Sequence, residues 1–539
     1  MKKLLFILVA AFSISATFFL AGDPASAPEN WYNLAYSANG TRGVGTEKTY
    51  NDLLKGKTPD TIIVAVIDGG VDYMHEDLKN VMWHNPGEIP DNKVDDDKNG
   101  YIDDVYGWNF IGGADGRNVE HDNLEMTREY RRLKKKFKNK TIDDVAPTEK
   151  SEFEYYLTVQ KAYNAEYDAA KTAFDNINSF RRTNNDFKAE IKNKTDKDTV
   201  TYADFVAHVP SQKYAAYKQF LIDKVGVKTE ADWVGLNTEL DEGYEVFNSR
   251  LEYHLNTDYD PRDIVGDDYL NADEKFYGNN DIKGPDAIHG THVAGIIAAQ
   301  RGNGIGVDGV SNAVKIMGVR VVPDGDERDK DVANGIIYAV DNGAKIINMS
   351  FGKSFGFNKA CVDKAVKYAE SKGVLLVHAA GNDDQDNDLS TNFPNPRFAD
   401  GGVATNWIEV GASSWRGGKN AVAPFSNYGK VNVDVFAPGV DINSCKSNGG
   451  YIALSGTSMA SPVTAGVCAV LKTYYPALTP ADIKRIVETS SDKSMAKKKV
   501  IIPGEKKKKA KFGTLCKTGG LVDLYAAVQM ASGATTVKK

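Results

Sequence analysis

The first strong signal along the chain is an unbroken β-branched and apolar stretch at 61–67, which stops at Asp68-Gly69-Gly70. A run with no polar face predicts a strand covered on both sides, as in a parallel sheet. Similar runs recur at 345–349, 374–379 and 407–410, and a helical pattern at 360–372 precedes the third of these four strands. Strands alternating with helices predict an α/β fold, a mostly parallel sheet flanked by helices. Such sheets bind ligands beyond the carboxyl ends of their strands, which makes the position of Asp68 a candidate site.

From about 117 to 255 the period changes. Tyr156, Val159, Tyr163, Tyr167, Ala170, Phe174 and Ile177 recur at helical spacing, and Tyr130, Leu133 and Phe137 do so amid Lys and Arg. This pattern predicts a charged, mainly α-helical insertion at 119–254 whose aromatic stripe is its own core. The main domain is then split into 28–118 and 255–532, with a tail at 533–539.

The amino terminus changes the picture again. Lys2 and Lys3 precede an apolar run at 4–21 and small residues ending in Ala25-Ser26-Ala27, the order of a secretory signal at 1–27. The expectation is an exported protein, periplasmic or extracellular, with no membrane span after signal cleavage, since no second segment is long and apolar enough. A formal net charge of -7 leaves no basic face over the whole chain and argues against nucleic acid as a partner. Cys361, Cys445, Cys468 and Cys516 are too few for a disulfide scaffold, although export would permit one bridge, for example Cys445 with Cys516.

Three separated segments each supply one part of an acyl-transfer site. In Val66-Ile67-Asp68-Gly69-Gly70, a carboxylate fixed at a strand end can accept the Nδ1 proton of a histidine and hold its tautomer. His289-Gly290-Thr291-His292-Val293-Ala294-Gly295 opens an apolar helix whose small residues permit close packing. His289 and His292 stand at i and i+3, but no Cys or Glu at suitable spacing completes a metal site, and His292 reads as a structural histidine. In Ser455-Gly456-Thr457-Ser458-Met459-Ala460-Ser461-Pro462, Pro462 suits a first helical turn. Ser458 then sits near a helix N-terminus, which favours a developing oxyanion.

Together these segments resemble the Asp, His and Ser motifs of the subtilisin-like serine proteases, in that family's chain order. The resemblance implies a subtilisin-like three-layer fold and a secreted serine endopeptidase acting on protein or peptide substrates through an acyl-enzyme, without an organic cofactor. Ser458 would be the nucleophile, His289 the general base and then acid, and Asp68 the orienting carboxylate. Val377-His378-Ala379-Ala380-Gly381-Asn382 is similar to the family's oxyanion segment, with Asn382 as side-chain donor; one such donor in a subtilisin contributes roughly 10²–10³ in rate. Ile347-Asn348-Met349-Ser350-Phe351-Gly352 resembles the strand that pairs with the substrate backbone, which assigns Ser350, Phe351 and Gly352 to substrate binding. The Phe351 side chain could shape the first specificity pocket or point into the core.

The acidic stretch at 95–104 places Asp95, Asp97, Asn99 and Asp103 at alternating positions, with Gly100 where an EF-hand loop turns. Tyr106 replaces the Glu of the full pattern, so the expectation is a structural Ca²⁺ in a related loop, set against a solvated acidic turn. The long separation of Asp68 from His289 departs from the simplest members and is similar to long-insertion bacterial relatives. Only a short segment fits between Ala27 and Thr61, so folding without a cleaved inhibitory prodomain is expected.

Overall fold

The computed structural model describes residues 26–36, 41–195 and 197–537. The secretory signal expected at 1–27 therefore lies outside the described residues, save its last two positions. Among the described residues no helix is long and apolar enough to cross a membrane. The chain divides into two compact units, Met126–Tyr259 on the one hand and Ala25–Glu125 with Asp260–Lys539 on the other.

The larger unit is built on seven strands: β1 (Ile62–Asp68), β2 (Gly107–Asn109), β3 (Val314–Arg320), β4 (Ile346–Met349), β5 (Leu375–Ala379), β6 (Trp407–Ser413) and β7 (Val435–Pro438). They form one sheet in the order β2-β3-β1-β4-β5-β6-β7. Every pairing in it is parallel, with Asp68 level with Arg320 and Val64 with Ile346. The hydrophobic pattern had marked β1, β4, β5 and β6. It passed over β2, which is only three residues long, β3, which carries Lys315 and Gly318, and β7, which ends in Pro438.

Helices cover both faces of this sheet. α1 (Ile288–Ala298) and α4 (Thr457–Tyr474) pack on one another and on the sheet, while α2 (Asp329–Asp341) and α3 (Lys359–Ser371) pair with each other. Ala65, Ile67, Ile347 and Met349 share a buried cluster with Ile336 of α2 and Ala365 of α3. Alternation along the strands then turns Val64, Val66 and Asn348 to the opposite face, where α4 lies. All four cysteines are buried and free, so the bridge considered for Cys445 and Cys516 is not formed.

Residues 119–125 belong to this larger unit. Val119 joins its core. Asp122 binds Arg328 at 2.7 Å, and Glu125 binds Lys353 at 2.8 Å. Asp260, the first residue after the insertion, reaches the same Arg328 at 2.9 Å, and Lys353 also meets Asp329 at 2.7 Å. Asp122, Glu125, Asp329, Arg328 and Lys353 are buried charges that persist only when paired, and they fix the outgoing end, while the exposed Asp260 ties the returning end to Arg328.

The second unit, Met126–Tyr259, is helical. Its longest element is Lys150–Thr195, and Glu230–Ser249 packs against it. Of the predicted stripe, Tyr156, Val159, Tyr163, Ala170 and Ile177 are buried, whereas Tyr167 is exposed. A further core gathers Phe187, Phe205, Trp233, Leu236 and Leu240, with the Phe205 and Trp233 rings stacked at 4.9 Å. Tyr163 donates to the Leu255 carbonyl and Arg131 to the Tyr259 carbonyl, each at 2.8 Å, tying the returning chain to the outgoing one.

Candidate active site

β1 delivers Asp68 to the carboxyl edge of the sheet. The carboxylate is almost wholly buried, and its Oδ1 accepts from the Gly69 amide at 2.7 Å and lies 2.8 Å from His289 Nδ1. Oδ2 has no hydrogen-bond partner among the described residues. His289 stands in the first turn of α1, and the helix reaches the β1 turn because residue 290 is glycine. A Cβ at Gly290 would lie 2.2 Å from the Gly70 carbonyl oxygen and 3.1 Å from the Asp68 side chain. Burial lowers the His289 pKa, but the charge and hydrogen bond of Asp68 more than offset this, with Asp286 adding to them, and the net result lies above the ordinary 6.5.

Ser458 is the second residue of α4. Its Oγ donates to the Ser350 carbonyl at 3.0 Å, while Ser350 Oγ donates to the Ser458 carbonyl at 2.9 Å. The described residues include no hydrogen bond between Ser458 Oγ and His289 Nε2. Catalytic hydrogen bonds of this kind commonly tighten only when substrate is present. Ser350 is in turn held by Asn348, a fully buried residue at the end of β4. Asn348 Nδ2 donates to Ser350 Oγ at 2.9 Å, and its Oδ1 accepts from Ser461 Oγ of α4 at 2.8 Å.

Asn382 follows β5. Its Oδ1 accepts from the Thr457 amide at 2.8 Å and from Thr457 Oγ1 at 3.0 Å, so the carboxamide is locked to the start of α4. Nδ2 makes no hydrogen bond among the described residues and remains a donor beside Ser458's helix. The left-handed backbone position in this segment is taken by Gly381, at φ 107°, and not by Asn382.

Phe351 is half-buried and packs against the core, its ring edge-on to His378 at 6.3 Å. The strand end at 350–352 thus adjoins Ser458 through Ser350, while the Phe351 ring faces inward. His292 is structural: Nε2 lies 3.0 Å from the carbonyls of Ile442 and Ile452, and burial pulls its pKa down to about 4. Its position pins α1 to the hairpin formed by Ile442–Cys445 and Tyr451–Leu454.

In the acidic loop, Glu88, Asp95 and Asp97 offer carboxylate oxygens all within 4.8 Å of one another. Asp95 and Asp97 are thus brought together. Asn99 adjoins them, donating from Nδ2 to Asp97 at 3.2 Å and to Asp104 at 3.1 Å. Asp103 is turned elsewhere, accepting from the amides of Asn92 at 3.2 Å and Lys93 at 2.7 Å. Glu88 lay outside the spacing pattern and was missed, since only the fold of 85–104 brings it over the loop. Asn348 and Ser461 were missed as site residues too, although strand alternation at β4 already carried a signal: a polar side chain aimed at the helix that bears Ser458.

Comparison with known proteins gives concordant results. Residues 60–514 match the model of the Subtilase family. The chain is 33% identical over 312 residues to the thermophilic serine proteinase of Bacillus sp. strain AK1, covering 57% of this chain and 71% of that protein. It is 38% identical over 206 residues to thermitase of Thermoactinomyces vulgaris, covering 38% of this chain and 67% of that one.

Proposed function

Since the chain belongs to the subtilase family and is a subtilisin-like serine protease, we propose that it is an exported endopeptidase in which Asp68, His289 and Ser458 form the catalytic triad and Asn382 the oxyanion donor. Protein or peptide chains are its substrates. The observation that carries this reading is the 2.8 Å contact of His289 Nδ1 with the buried Asp68, in a chain that also sets Ser458 in the first turn of a helix. With Nδ1–H engaged by Asp68, the neutral imidazole keeps Nε2 as the base. Nε2 takes the Ser458 proton as Oγ leaves the Ser350 carbonyl and attacks the scissile carbonyl carbon. The carbonyl oxygen becomes an oxyanion that Asn382 Nδ2 and the start of α4 stabilise. The imidazolium then protonates the leaving amine, and water repeats the cycle on the acyl-enzyme, restoring Ser458.

The backbone of Ser350, Phe351 and Gly352 serves as the strand against which an extended substrate lies. The acidic loop suits a hard cation, because its converging donors are all carboxylate oxygens. Glu88, Asp95 and Asp97, with Asn99 beside them, would hold Ca²⁺ and clip the 85–104 loop. Export is supported by the charged, apolar and small-residue order at 1–27.

The test is labelling with a fluorophosphonate probe, with casein hydrolysis in parallel. Wild type should label and cleave, and Ser458→Ala should do neither while remaining folded. Persistent labelling of Ser458→Ala would refute the assignment.

A further inference from the structure

We propose that the lysine-rich hairpin at 497–511 is a docking surface for acidic segments of the protein substrate, drawing them to the cleft before the cut. The inference rests on the catalytic reading above.

In a chain of net charge -7, this stretch holds eight lysines, at 497–499, 506–509 and 511, against one acid, Glu505. Its two short strands, Lys499–Ile501 and Lys509–Lys511, pair antiparallel. The inner face is apolar and anchored: Val500 is fully buried in a cluster with Phe436, Phe512 and Val422, and the Phe512 N–H donates to the Lys498 carbonyl at 2.9 Å. All eight lysines are exposed. Among the described residues their one ion pair is Lys508 with Glu505, at 3.7 Å, although Asp384 lies against the hairpin tip.

Such crowding works against the hairpin itself. Lys499 stands directly opposite Lys511, with Lys509 on the same face, and like charges facing each other across a ladder are destabilising. Lysines on an exposed strand do discourage edge pairing. Those at 506 and 507, however, lie in the connecting turn, where there is no edge to guard. The charge is thus left for an anion outside the chain.

The tip lies beside the catalytic residues. The Gly504 N–H donates to the Pro424 carbonyl at 2.9 Å, and a Cβ built on Gly504 would be 2.7 Å from Asp384 Cγ. Asp384 follows Asn382 by two residues, so their Cα atoms are no more than about 7 Å apart. Asn382 is in turn bonded to Thr457, next to Ser458. An extended peptide advances by about 3.3 Å per residue, so an acidic stretch a few residues from the cut bond can lie on the lysines while that bond is at Ser458. Because the cleft already gathers polypeptide here, side-chain carboxylates are the anions the hairpin meets. Electrostatic focusing of this kind raises association rates by roughly 10–10³.

The experiment uses the full chain, titrated with a fluorophosphonate and held at constant calcium. Internally quenched peptides share one neutral cleavable core and carry a glutamate tract, or a glutamine tract of the same length, before or after it. At about 10 mM NaCl wild type should favour glutamate over glutamine by about tenfold in kcat/KM for at least one placement, and the preference should fade at about 1 M, where the Debye length falls from about 30 Å to about 3 Å. Lys506→Gln, Lys507→Gln, Lys508→Gln and Lys509→Gln together should bring the ratio to within about twofold while cleavage of the glutamine peptides is unchanged, and the separate pair Lys499→Gln with Lys511→Gln should also lower it. Wild type without a glutamate preference at either placement, or a preference that both variants keep in full, overturns the docking role. Wild type that instead binds phosphatidylglycerol vesicles or a DNA oligomer through these lysines, with no preference among the peptides, gives the face to another partner and overturns it equally. Folded wild type without titratable sites overturns the catalytic reading itself, and the inference falls with it.

Discussion

Asn348 should behave as a positioning residue whose loss is felt in both stability and turnover. It is wholly buried on β4, and its carboxamide ties Ser461 of α4 to Ser350, which exchanges hydrogen bonds with Ser458. Asn348→Ala leaves the buried Ser461 hydroxyl without its acceptor, a cost of ~1–3 kcal/mol. The volume vacated by the carboxamide adds ~1 kcal/mol. Together these predict a loss of ~2–4 kcal/mol. Urea unfolding should be followed in a Ser458→Ala background, which prevents self-digestion. With Trp233→Phe also in place, every remaining tryptophan reports on the larger unit. In the active background kcat should fall more than KM rises, because the serine is less well placed while the substrate strand survives. A change below about 0.5 kcal/mol together with unaltered kcat would refute the idea that this network carries the site, since that is the scatter of ordinary surface substitutions.

Three further outcomes follow from the geometry. Asp68 favours protonated His289, so kcat/KM should be low in acid and rise through an apparent pKa above 6.5; Asp68→Asn should move that limb toward lower pH as well as reduce the rate, and an unmoved limb would sink the pairing. The same pair stabilises the fold fully below the unfolded-state pKa of His289, and this contribution is lost as pH rises through the raised folded value, so the working range begins where this stabilisation ends. Calcium should raise the Tm of wild type relative to chelator, and Glu88→Gln should lose most of that gain; equal Tm values with and without calcium would show the loop to be a solvated acidic turn.

Much of the candidate site was readable before the fold because Asp68, His289 and Ser458 sit at punctuated places. Asp68 ends an uninterrupted apolar run, His289 begins an apolar helix, and Ser458 follows Gly456 at a helix start; Pro462, expected in the first turn, lies inside that helix, which begins at Thr457. Local rules reach all three. They do not reach Glu88, which meets Asp95 and Asp97 only after the loop closes. Asp103 shows the opposite limit: its spacing fitted a ligand ring, but its carboxylate caps the amides of Asn92 and Lys93 and is not among those that converge with Glu88. The insertion was visible as a change of period, whereas its compact unit begins at Met126 and ends at Tyr259 because residues 119–125 pack and pair within the larger unit. Periodicity does not register partners as distant as Arg328 and Lys353.

Those anchored ends bear on how such a protein can change over time. Arg328 holds Asp122 on the outgoing chain and Asp260 on the returning one, so the two cut points are drawn together without help from anything between them. Within the helical unit, the Arg131 bond to the Tyr259 carbonyl closes the other side of the junction. A lineage can therefore lengthen, shorten or replace the helical segment as a cassette while the catalytic sheet keeps its register. The entropy of closing a longer excursion grows only as the logarithm of its length, about 0.6 kcal/mol per doubling. Change is then free to concentrate at one junction, where new modules can be tried without touching Asp68, His289 or Ser458.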